Sequence, residues 1–154
     1  MKLLMALGSG LAGALALTLL HETGRRVIPE APRMDILGMR VIARTMNRAG
    51  QPPPTRERLH SMALAGDIAG NALYYSLVGA GAPGSGAWLR GGLLGLLAGL
   101  GGVFLPSSLG LGSGPSSRTR QTQALTVLWY LVGGLAAAAA HQIFSELDED
   151  RRWM

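Results

Sequence analysis

The sequence predicts an all-α integral membrane protein: a four-helix bundle of membrane-spanning helices, with a cytoplasmic amphipathic helix between the first and second. Three observations carry this expectation. Hydrophobic residues make up 48% of the 154 residues and charged residues only 15%, a balance far from that of an ordinary soluble domain. Most charges crowd into residues 21–60, 116–120 and 145–152, leaving long runs of Leu, Ala, Gly and Val between them. Those runs approach the roughly 20 residues that a helix rising about 1.5 Å per residue needs to cross the hydrocarbon. Helices are the economical choice there, because each backbone amide finds its partner within its own segment when water is absent.

The first span is expected over residues 3–20. Its start also fits a cleaved signal peptide, with Lys2 as a short basic region, residues 3–13 as the apolar region and Ala14, Leu15 and Ala16 as a small-x-small site. The apolar run nevertheless continues through Leu20 without a polar break; cleavage would leave three spans. Residues 21–60 then form a basic segment. Pro29 and Pro32 interrupt the chain, Asp35 places a carboxylate near a helix N-terminus, and Pro52, Pro53 and Pro54 end the helical pattern. Between residues 33 and 49, Arg33, Arg40, Arg44 and Arg48 recur on one side and Ile36, Met39, Ala43 and Met46 on another. A basic amphipathic helix beside membrane spans fits the interface, its arginines meeting the phosphates of anionic lipid headgroups. A cytoplasmic helix packed on the bundle is the alternative.

The second span is expected over residues 63–82. The short uncharged linker at 79–86, with Pro83, makes it an antiparallel hairpin with the third span at 87–105. Arg90 lies near the start of that third span and can snorkel to the headgroups, beside Trp88 in an aromatic belt. A cytoplasmic Gly- and Ser-rich connector at 106–121 leads to the fourth span at 124–144, where His141 sits near the outer interface. An acidic outer tail fills 145–154. The whole chain, 1–154, is expected to be one membrane domain.

Orientation follows from basic residues. Of the fourteen Lys and Arg, ten flank the cytoplasmic ends of the spans: Arg25, Arg26, Arg33, Arg40, Arg44, Arg48, Arg56, Arg58, Arg118 and Arg120. Lys2, Arg90, Arg151 and Arg152 make four on the other side. The positive-inside rule then places both termini outside the cytoplasm, in an inner (plasma) membrane. Small residues at four-residue spacing, such as Gly91, Gly95 and Gly99, Ala6, Gly10 and Ala14, or Gly66 and Gly70, suit close helix packing, in a compact bundle or on a dimer face.

An ionisable residue within a span costs about 2.5–3.5 kcal/mol on insertion scales, so it invites a functional reading. Asp67 is that residue, about 6 Å into the hydrocarbon from the cytoplasmic side, with Asn71 one turn later and His60 and Tyr74 seven residues to either side. His21 and Glu22 end the first span at the same depth, and Gln123, Thr126 and Tyr130 recur along one face of the fourth. These side chains are the candidates for a polar pocket at the cytoplasmic interface. The lipid-phosphate candidates are Arg33, Arg40, Arg44 and Arg48.

Cys is absent, which excludes disulfides, thiolate metal sites and cysteine nucleophiles. No catalytic motif, metal-ligand spacing or cofactor-binding pattern is present; the 107–117 loop lacks the Gly and Lys order of a phosphate-binding loop. The net charge of +5 flanks apolar spans, so lipid headgroups rather than nucleic acid are the expected partner. Three readings of the pocket stay open. Asp67 fixes helix register in a structural or accessory component of a membrane assembly, as a homo-oligomer or in a larger complex; it carries a proton in a small-solute transporter; or the pocket serves a lipid-headgroup enzyme. The run from His21 through Thr23, Arg25, Pro29, Glu30 and Pro32 to Asp35 resembles segments of uncharacterised small bacterial membrane proteins, a likeness that covers about a tenth of the chain and implies no activity.

Overall fold

A computed structural model describes residues 2–152, with side chains through Asp150. Residues 1, 153 and 154 of the expected domain lie outside the described residues, as do the side chains of Arg151 and Arg152 that enter the charge count. Six α-helices follow one another: α1 (Lys2–Val27), α2 (Met34–Arg48), α3 (Arg56–Ser76), α4 (Ser85–Ser108), the single turn α5 (Gly114–Ser117) and α6 (Arg120–Arg152), with a 3-10 turn at Leu77–Ala80. No strand occurs among the described residues.

Three helices, α1, α4 and α6, are long and apolar enough to cross a membrane. The expected second span is helical but less apolar: α3 opens on Arg56, Glu57 and Arg58, carries Asp67 and Asn71, and is built elsewhere largely of Ala and Gly. Its α-helix also stops at Ser76, short of the expected 82, because the chain tightens into the 3-10 turn before Gly81 and Pro83. By contrast α1 runs beyond residue 20 to Val27. No helix breaker occurs before Pro29, and Glu22 pairs with Arg25 at 2.5 Å and Arg26 at 3.9 Å across single turns. The acidic tail likewise continues α6 rather than leaving it.

The long helices form an open arc in the order α3, α1, α6, α4. Helix α6 packs most extensively on α4 and α1, α1 also packs on α3, and α3 barely touches α4. Small residues set these approaches. A methyl group at Gly95 or Gly99 would lie 2.6 Å from α6 backbone at Tyr130 or Val127, and Gly13 of α1 would likewise meet Gly133 and Ala137. The side chain of Tyr75 fills the space where α3, α1 and α6 converge and donates its hydroxyl to the Tyr130 carbonyl at 2.7 Å. Leucines cover the outside: Leu4, Leu7, Leu11, Leu15 and Leu19 on α1, and Leu89, Leu93 and Leu97 on α4. Exposed leucines at helical spacing suit a lipid surround.

One end of the arc gathers α2, α5 and the α4–α5 loop. Gly110 and Gly112 adopt φ of 69° and 84°, which only glycine takes readily. Beside them the carbonyls of Leu109 and Leu111 accept hydrogen bonds from Arg44 (2.8 Å) and Arg40 (2.6 Å) of α2. The Arg33 amide donates to the Pro115 carbonyl, and Arg118 reaches Pro29 and Glu30. The segments expected on one side of the membrane, 21–60 and 106–121, thus share one end of the molecule. At the other end Lys2, Ala82, His141 and Ser145 line a common cleft.

Candidate functional site

Four of the eight pocket candidates meet. His21 and Glu22 of α1 and His60 and Asp67 of α3 line one small cavity of about 20 Å³, together with Thr18 and Asp35. His21 is buried, its ring 5.3 Å from that of Trp129 and 5.7 Å from that of Tyr130. Gly24, one turn further along α1, makes room for the Trp129 ring to come this close. Neither nitrogen of His21 nor the hydroxyl of Thr18 has a hydrogen-bond partner among the described residues. Asn71 donates to Asp67 at 3.0 Å, the i,i+4 contact expected from the stripe on this helix.

The other candidates diverge. Tyr130 edges His21 but also reaches a separate groove between α2, α3 and α4. That groove holds about 640 Å³, is mainly apolar, and has Asp67 and Tyr74 on its wall. Thr126 is turned to α5, donating to Ser116 at 2.9 Å or Thr122 at 2.8 Å, and Gln123 is exposed and bonded to the Ser117 carbonyl. Depth along the chain groups residues by level but cannot say which way a helix is rotated, and α6 turns this part of its polar face to the loop. Sequence reasoning missed Thr18, Asp35 and Trp129. Asp35 was read only as a helix-end charge; Thr18, one turn before His21, was the available signal.

Three of the four arginines expected to meet lipid phosphates, Arg33, Arg40 and Arg44, have partners within the chain. Arg33 grips Asp35 with both ends of its guanidinium, at 3.0 and 2.8 Å. Burial pushes the Asp35 carboxyl up, but this paired guanidinium outweighs it and leaves the group below its usual range. Arg40 and Arg44 fasten α2 to the α4–α5 loop while remaining exposed, and Arg48 is exposed at the end of α2. Helix α2 also packs on α3, where Gly38 meets Ala63.

A second polar cluster clasps the loops. Glu30 accepts from Arg118 (3.1 Å), Thr119 (3.0 Å) and, more weakly, Thr122 (3.4 Å). The hydrogen bonds from Arg118 and Thr119 hold the Glu30 carboxyl below its ordinary value of 4.5. A group depressed on folding contributes stability above its ordinary value and loses it as pH falls through the folded value. Thermal unfolding in detergent at stepped acid pH should therefore show the native chain losing more stability on acidification than Glu30→Gln. Parallel curves would remove Glu30 from the acid response.

Fold and site together define an all-helical protein with three helices able to cross a membrane and a buried imidazole–carboxylate cavity between two of its long helices. No family model, no curated protein and no solved structure matches the chain. Among the described residues no three His, Asp or Glu side chains are grouped to hold a metal ion.

Proposed function

We propose that this protein is a structural component of a membrane assembly, which self-associates through the open face of α3 around Gly66 and Gly70, at the edge of the apolar groove, with α3 as a fourth and less apolar span. One observation carries the reading. Gly66 and Gly70 have nothing within 4 Å of where a side chain would begin, whereas Gly10, Gly13, Gly95, Gly99 and Gly133 all lie against another helix. With Ala65 and Ala69 they make an exposed strip of small residues on α3. Gly92 of α4 is also open, but Trp88, Leu89 and Leu96 stand around it. A smooth face offers little to lipid and lets a second backbone come close, and two copies of one such face are self-complementary about a two-fold axis. The charge asymmetry supports a cytoplasmic position for the end that holds α2 and α5, with both termini outside and anionic headgroups as the lipid partners of the exposed arginines.

Because the chain has no Cys, a single engineered thiol reports on one surface. Mild oxidation of membranes should give a covalent dimer with Ala69→Cys and none with Leu93→Cys, on the leucine face of α4. A monomeric Ala69→Cys protein would sink the self-association. Transport is the second reading, favoured by the placing of Asp67 between a polar cavity and an apolar groove.

A further inference from the structure

Three cavities lie in series at the α2 end. An open cleft of about 420 Å³ is lined by Arg25, Arg33, Asp35, Arg56, Glu57 and His60. Asp35 and His60 also line the small His21 cavity, and Asp67 lines both that cavity and the apolar groove. The sequence of surroundings is therefore charged solution, then a small cavity that holds the buried His21 imidazole and the Asp67 carboxylate, then a lipid-like groove.

We propose that the cleft and the His21 cavity form a water-binding access path through which Asp67 exchanges a proton with the solution on the α2 side. Two independent observations support it. The first is the unpartnered state of three buried atoms around one cavity: both His21 nitrogens and Thr18 Oγ1. His21 is only 6% exposed and Thr18 9%, and leaving such buried groups without a partner forfeits the hydrogen bonds they would make to water. The cavity, at about 20 Å³, is large enough for a water and too small for a solute. A neutral imidazole offers one donor and one acceptor, which suits a water that bridges it to Thr18 or Asp67.

The second is the position of Asp67. Asn71 satisfies one carboxylate oxygen on the same helix, yet a carboxylate beside an apolar groove still needs a proton or water. The groups facing the path are His21, Glu22 and Arg25 from α1, Arg33 and Asp35 at the start of α2, and Arg56, Glu57 and His60 from α3, with Tyr130 of α6 behind His21. Glu22 and Asp35 are each held by an arginine and Glu57 stands exposed at the mouth of the cleft, which leaves His60, His21 and Asp67 to carry the proton inward. The step is a transfer only: an O–H bond forms on Asp67 as one breaks on the adjoining water, and that water recovers its proton from the cleft through His60. Nothing is oxidised or reduced. The path is independent of whether α3 self-associates.

Dicyclohexylcarbodiimide, which enters from lipid and modifies protonated carboxyls, tests this in right-side-out and inside-out vesicles, with Asp67→Asn as the blank. Labelling of the Asp67 peptide should fall several-fold as the solution on the α2 side is made alkaline, and should ignore the opposite side. Absent labelling, labelling indifferent to both sides, or labelling that follows the opposite side would each overturn the path.

Discussion

Replacing Gly95 with leucine is expected to unfold the α4–α6 pair. Gly95 is buried in a strip with Gly91 and Gly99, and a side chain there would start 2.6 Å from the Tyr130 carbonyl oxygen and 2.7 Å from Leu131 Cα. Both obstacles are backbone, so no rotamer change relieves the clash and the helices must part. The clash also falls on the carbonyl that accepts the Tyr75 hydroxyl. Overpacking typically costs 1–3 kcal/mol when side chains can yield, and here the loss should reach at least about 3 kcal/mol. Equilibrium unfolding in mixed micelles measures it, with Gly92→Leu as the companion variant. Gly92 has nothing within 4 Å, so its variant should stay within about 0.5 kcal/mol of the native chain. Equal stability of the two variants would show that α4 does not pack on α6 through this strip.

The same contrast explains how far the sequence could be read. The lengths of the apolar runs at 3–20, 87–105 and 124–144 report a property of each segment alone, and helices α1, α4 and α6 occupy them. Glycine spacing also reports on one helix at a time: it marks Gly91, Gly95 and Gly99 as equivalent to Gly66 and Gly70. Only the placement of neighbouring helices separates them, since α6 covers the first strip while the second is bare. The site divides in the same way. Asp67 and Asn71 lie four residues apart on one helix, so their hydrogen bond is legible from periodicity. The meeting of His21 with Trp129 is not, because it depends on α1 continuing to Val27 and on Gly24 admitting the indole. Rotation of α6 sent Gln123 and Thr126 toward α5 while leaving Tyr130 inside, a difference that residue level in the membrane does not encode.

Gly70→Leu should leave the monomer intact and abolish the association. The glycine has open space around it, and its neighbours Ala69 and Leu73 are exposed. Apolar surface added toward lipid is close to neutral, because lipid tails and leucine are equally apolar. Stability in mixed micelles should therefore remain within about 0.5 kcal/mol of the native value. At a face where two backbones meet, the same leucine holds the helices apart and removes the contacts on which association in a membrane depends. In the Ala69→Cys background the crosslinked fraction should fall at least tenfold, equivalent to about 1.4 kcal/mol of association free energy. The reverse outcome is equally informative. A destabilised monomer with unchanged crosslinking would mean that Gly70 packs within its own chain, and that the proposed face lies elsewhere on α3.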